Sequence, residues 1–185
     1  MKGGRFLKNI SYRVALGGII SAFCLLAMFL TGVFPALSFV LPMMTGILML
    51  IMVNEVNVPW ALLTYLAVGL LSLFVTYDKG SAMVFILFFG HYPITYRYLN
   101  KIPLRILRLL VKLAVFNGCM ILFYYINVYL FGLQDLLEAA QDFGKYGTII
   151  LLAAMNPFFL MYDYSLDGLC ELYRRSLKPR ILGKR

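Results

Sequence analysis

Six long apolar runs separated by short polar joints make up most of the chain. They cover approximately residues 14–34, 37–54, 59–77, 81–98, 108–131 and 147–169. Each approaches the roughly 20 apolar residues that an α-helix needs to cross the hydrocarbon core of a bilayer. The joints carry the residues that interrupt helices. Pro35, Pro59 and Gly80 punctuate the first three, Pro103 sits in a basic connector, and Gly132 closes the fifth run. The pattern predicts an all-α, polytopic membrane protein with six transmembrane helices. No internal repeat or low-complexity tract divides the chain, so residues 1–185 read as one six-helix domain.

Composition agrees. Of 185 residues, 62% are hydrophobic and 14% are charged. A soluble domain is about a quarter charged. The mean hydropathy is +0.85. No single water-soluble core hides that much apolar side chain. The first run is too long for the core of a signal peptide, and it ends in Phe34-Pro35 without a small-residue cleavage site.

Charge adds orientation. All 17 basic residues except Lys79 and Lys145 fall in three clusters. One precedes the first run, one joins the fourth to the fifth, and one follows the sixth. Six spans bring all three to the same side, which the positive-inside rule makes cytoplasmic. The expected topology is therefore multi-pass in the cell membrane, with N and C termini cytoplasmic. The same argument disposes of the net charge of +9. Basic residues beside a membrane serve topology and contact with anionic lipid, so membrane lipid is an expected partner and nucleic acid is not.

The first run contains Arg13-Val-Ala-Leu-Gly-Gly-Ile-Ile-Ser-Ala-Phe-Cys24. Ala15, Gly18 and Ala22 share one side of a helix, with Gly17 and Ser21 beside them. Small residues four apart let membrane helices approach closely. Two readings follow. The groove packs against another span of this chain, or it receives a helix of a different protein.

A short basic N-terminus, a small-residue first helix and six spans together resemble the substrate-binding S components of energy-coupling factor (ECF) transporters. That family carries Ala-x-x-x-Ala in its first helix. Here Ala15 is followed four residues later by Ile19, and Gly18-x-x-x-Ala22 is the nearest equivalent. The resemblance implies a membrane-embedded subunit that captures a vitamin-like small molecule from outside. It delivers the molecule inward with a transmembrane coupling subunit and two ABC ATPases. Ala15, Gly18 and Ala22 then form the partner interface. No GxxxxGK[ST] motif occurs, so ATP hydrolysis belongs to the partners. The alternative is a non-transporting membrane scaffold of the MreD type, which is similar in helical layout.

Polar residues within spans are costly and face protein or ligand. Asn117, Tyr124 and Asn127 lie on the fifth span and Asn156 on the sixth. Tyr146 precedes the sixth span, and Tyr77-Asp78-Lys79 joins the third to the fourth. These residues outline an outward-facing pocket in which tyrosine rings stack on a flat ligand and amides read its edges. Asn117, Tyr124, Asn127, Tyr146, Asn156, Asp78 and Lys79 are the candidate substrate-binding set. The competing readings are an interfacial tyrosine belt and hydrogen bonds between helices. Residues 132–144 are amphipathic and serve either as a lid or as an inert connector. Toward the basic side, Asp163, Asp167 and Glu171 share a helical face and are expected to pair with Arg105, Arg108 and Lys112.

Chemistry beyond binding finds little support. His91 is the single histidine, no Gly-x-Ser-x-Gly occurs, and the acidic residues gather at span ends. Cys24, Cys119 and Cys170 form no CxxC and read as small membrane-helix residues. The expectation is a non-enzyme, with no catalytic residue, no metal and no cofactor. The identity of the substrate is not written in these residues.

Overall fold

The structure, a computed structural model, describes residues 3–132 and 146–172, with side chains from Ile10 onward. The predicted lid lies outside the described residues except for Gly132, as do Lys145 and the basic run after Leu172. The described chain is all-helical.

Helix α1 spans Gly3–Val33. It ends where Phe34 precedes Pro35, because the proline ring pushes the preceding residue out of the helical region. Phe34 accordingly has φ −122° and ψ 82°. A single 3-10 turn, Pro35–Leu37, leads to α2, Val40–Glu55. Helix α3, Val58–Val75, begins with Asn57, whose side chain accepts the Trp60 N–H at 3.2 Å, and Pro59 sits in its first turn. Both features favour a helix start.

The fourth predicted span is not one continuous helix. Helix α4, Lys79–Val84, runs into a π-turn at Phe85–Phe89, and α5, Tyr92–Leu99, restarts after Gly90-His91. The Tyr65 ring of α3 occupies the break. A Cβ on Gly90 would lie 2.6 Å from Tyr65, and the Tyr65 hydroxyl donates to the Ile86 carbonyl at 2.7 Å. Helix α6, Arg105–Tyr125, ends in a second π-turn, Ile126–Leu130, and Gly132 leaves it at φ +62°. Helix α7 is Gly147–Leu172, with Pro157 inside it.

Among the described residues, four helical stretches are long and apolar enough to cross a membrane: Ile10–Val33, Val58–Val75, Arg105–Leu130 and Gly147–Leu172. Helix α2, with 16 residues, reaches about 24 Å at 1.5 Å per residue. The hydrocarbon core is about 30 Å thick. These helices mark a membrane protein, and the pattern on α3 states the reason. Its buried stripe is Ala61, Thr64, Val68 and Ser72. Leu63, Leu66, Leu70 and Phe74 are exposed, Phe74 by 85%. Small and polar residues face the protein while leucines face out. That arrangement is unfavourable in water and suits a helix in lipid.

The chain divides into two compact units, Met1–Leu137 and Glu138–Arg185. In the first, α1 packs on α2 and α3. Ile20, Cys24 and Met28 meet a core that includes Met49, Met52, Ala61 and Val68. The first π-turn packs on α2 and α6. There Phe88 meets Tyr92 at 4.7 Å and Phe116 at 5.1 Å between ring centroids. The described part of the second unit is Tyr146 and α7.

Candidate functional site

The two small-residue pairs of α1 have different surroundings. A Cβ on Gly17 would lie 3.3 Å from Thr64 Oγ1 and 3.4 Å from the Met52 methyl. Gly17 is buried and Ser21 half-buried, so this pair sits against α2 and α3. A Cβ on Gly18 would meet nothing within 4 Å. Ala15, Gly18 and Ala22 are all exposed. Internal packing therefore accounts for Gly17 and Ser21 and leaves the Ala15–Gly18–Ala22 face open.

At the far end of α1, the chain gathers a polar cluster around the α3–α4 turn. Gly32 faces this turn so closely that a Cβ would lie 2.8 Å from Tyr77 Cβ. Asp78 caps α4. One carboxylate oxygen accepts the Gly80 N–H at 3.0 Å and the other faces the Ser81 hydroxyl. That hydroxyl also lies 2.7 Å from the Ser38 carbonyl, and its one proton serves one acceptor at a time. Lys79 turns back on α3, where its ammonium donates to the carbonyls of Leu73 at 2.7 Å and Thr76 at 2.9 Å. A cation there complements the negative end of the α3 dipole.

Asn127 completes the cluster from the second π-turn. It is fully buried. Its amide donates to the Phe123 carbonyl at 2.8 Å, one turn earlier. Its Oδ1 accepts nothing, and the buried Thr76 hydroxyl is likewise without a partner. A Cβ on Gly80 would sit 3.1 Å from Asp78 Oδ1 and 3.7 Å from Asn127 Oδ1. The two acceptor oxygens thus approach Gly80 closely, and Asp78 Oδ1 leaves too little room there for even one added carbon without a shift. A buried polar atom without a partner costs about 1–3 kcal/mol. A donor that reached Asn127 Oδ1 would relieve that cost.

Of the other predicted site residues, Asn117 lies apart from this cluster, Tyr124 lies about one turn before Asn127, and Tyr146 and Asn156 belong to the second unit. Asn117 stands ten residues before Asn127 on α6, about 15 Å along the helix axis. Its amide donates to the Leu113 carbonyl at 2.8 Å. Tyr124 is half-buried, with its ring edge-on to Tyr125 at 5.9 Å. Tyr125 in turn stacks on the exposed Tyr129 at 5.8 Å. In the second unit Tyr146 is exposed, and the Asn156 amide donates to the Leu152 carbonyl at 2.9 Å. Asp78, Lys79 and Asn127 are thus the predicted residues that come together, and Lys79 is engaged by backbone.

Three members of the cluster were not predicted: Thr76, Gly80 and Ser81. A signal was present. Asp78-x-Gly80-Ser81 is a helix-capping sequence, with the acceptor two residues before an amide that needs one.

Elsewhere in the first unit, several polar side chains find local partners, while Glu55 Oε1 is buried without one. Lys112 is buried, with its ammonium 4.8 Å from the Tyr96 ring centroid. Arg108 donates to the Asn100 carbonyl at 3.4 Å. The His91 ring sits edge-on to Tyr65 at 6.2 Å. Among the described residues no three His, Cys, Asp or Glu side chains group as metal ligands. No protein-family model, curated protein or solved structure matches the chain.

Proposed function

We propose that this chain is the membrane-embedded substrate-binding subunit of an ECF-type uptake transporter. It spans the cell membrane six times with both termini cytoplasmic. It takes a vitamin-like small molecule from outside and passes it inward with a coupling subunit and two ABC ATPases. The observation that carries this reading is the open Ala15–Gly18–Ala22 face on α1. Lipid is as apolar as leucine and gains nothing from a stripe of small residues, whereas a partner helix gains close backbone approach. The chain's own helices already use the neighbouring Gly17.

The ligand end of the proposal is the cluster at the α3–α4 turn. Asn127 Oδ1 and the Asp78 carboxylate offer acceptors, so the favoured ligand presents N–H or O–H donors. Lys79 is engaged by the α3 carbonyls and leaves no demand for an anionic ligand. Asn117 and Tyr124 remain proposed contacts of a larger ligand in the first unit, and Tyr146 and Asn156 remain proposed ligand contacts in the second.

Purification of the tagged chain from its native membrane in a mild detergent tests the reading. Mass spectrometry should find a coupling subunit and two ABC ATPases with the natural chain. A Gly18→Leu/Ala22→Leu variant, equally well expressed, should lose them. Recovery of cell-shape or envelope proteins with no ATPase would reject transport in favour of an MreD-type scaffold.

A further inference from the structure

The opposite end of the first unit holds a feature that the transporter reading does not use. A cavity of about 480 Å³ opens between the α2–α3 turn and the end of α5. Small-molecule sites span roughly 300–1,000 Å³. Asn54 and Asn57 line one side, and Arg97, Tyr98 and Lys101 line the other. No carboxylate is among its lining residues. Glu55 is next in sequence to Asn54, but its carboxylate faces Tyr12 of α1, with the tyrosine hydroxyl 3.5 Å from Oε2.

Three sources of positive potential converge on this space. The Arg97 guanidinium and Lys101 ammonium make no ion pair among the described residues, and Lys101 Nζ stands 5.1 Å from the Tyr98 ring centroid. The third source is the start of α3, an 18-residue helix whose cap Asn57 and first residues Val58 and Pro59 line the cavity. Aligned peptide dipoles make a helix start favourable for an anion. Two cations with no acidic partner among the described residues, beside a helix start, are suited to a phosphate group.

Surroundings identify the phosphate as part of a lipid. Val56 and Val58 give the cavity an apolar border. Pro59 lines it, and Leu63, Leu66 and Leu70 continue from Pro59 at helical spacing along α3. All three leucines are exposed, by 59%, 55% and 63%. A polar pocket at one end of a leucine stripe matches a phospholipid, with its headgroup in the pocket and its acyl chains along the stripe. Tyr98 and Trp60, at the same level, are the ring types that favour the interface between membrane and water. We propose that this cavity binds the phosphate of an anionic phospholipid. The assignment is independent of the transporter reading.

Native mass spectrometry of the full chain in neutral detergent tests it. The protein is incubated with equal amounts of phosphatidylglycerol and phosphatidylcholine. The expected result is at least tenfold preferential retention of phosphatidylglycerol. Arg97→Gln/Lys101→Gln should bring the preference close to one while leaving thermal unfolding nearly unchanged, because both residues are exposed. Arg105→Gln/Arg108→Gln removes equal charge from the adjoining connector and should keep the preference. Equal retention of the two lipids by the natural chain overturns the proposal, as does a preference that survives in the first variant or disappears equally in the second. A further arm offers inorganic phosphate to the lipid-free protein. Binding there that depends on Arg97 and Lys101, without any lipid preference, would reassign the cavity to a soluble phosphate and overturn the lipid assignment.

Discussion

Gly18 and Gly32 lie on the same helix, and the same substitution should affect them in opposite ways. A Cβ at Gly32 would lie 2.8 Å from Tyr77 Cβ, whereas one at Gly18 meets nothing. Gly32→Leu should cost about 1–3 kcal/mol, the usual penalty of overpacking. Gly18→Leu should stay within about 0.5 kcal/mol, as exposed substitutions do. Thermal unfolding in detergent measures both. A large loss for Gly18→Leu would mean that the face is occupied within the chain. Spacing in the sequence grouped Ala15, Gly18 and Ala22 and separately paired Gly17 with Ser21. It did not say which group turned inward, because adjacent residues on a helix point about 100° apart and both groups are small. Only the neighbours, Thr64 and Met52, distinguish them. Asn127 was legible as a polar residue in a span. Its unpartnered oxygen was not, since that depends on the π-turn and on Gly80 from another helix.

At the scale of elements, the α3–α4 turn is held by two adjacent charges with separate tasks. Lys79 ties the last carbonyls of α3, and Asp78 caps the first amides of α4. Lys79→Ala should expose those carbonyls and cost about 0.5–1.5 kcal/mol per lost bond. Asp78→Ala should cost about 0.5–2 kcal/mol, the usual value of an N-cap. Hydrogen exchange should separate them. Asp78→Ala should speed exchange at Gly80 and Ser81, and Lys79→Ala at the final turn of α3. Uniform acceleration across both helices in either variant would mean that the turn opens as one unit and that the two tasks are not separable. Helix boundaries at Pro35 and Pro59 followed from the sequence because proline acts locally. The division of the fourth span did not. Gly90 and Pro93 are visible there as breakers, but the cause is the Tyr65 ring, which arrives from 25 residues earlier. An apolar run shows how much lipid-compatible length exists and leaves its continuity to packing.

For the whole molecule, the positive clusters predict which side each joint faces, and the broken α4–α5 element is the critical case. Lys79–Leu99 as a whole has the length of a span, yet neither helix alone crosses a bilayer. Polar cluster and phosphate cavity lie at its two ends, so the proposed ligand site and the proposed lipid site face opposite sides only if this element crosses. Tyr77 and Tyr98 bracket it and are exposed by 89% and 52%. Tyr77 meets Gly32 through its Cβ, which Tyr77→Cys retains. A membrane-impermeant maleimide applied to intact cells should therefore label Tyr77→Cys above the background of the three native cysteines. Tyr98→Cys should react only after the membrane is permeabilised. Labelling of both in intact cells would return the α4–α5 element to the outer side and remove one crossing. The three basic clusters would then no longer share a face, and the proposed six-span orientation would fail with them. The expected split places Arg97 and Lys101 beside the anionic inner leaflet. It puts half-buried Asp78 and buried Asn127 at the end of the element that faces the proposed ligand's side.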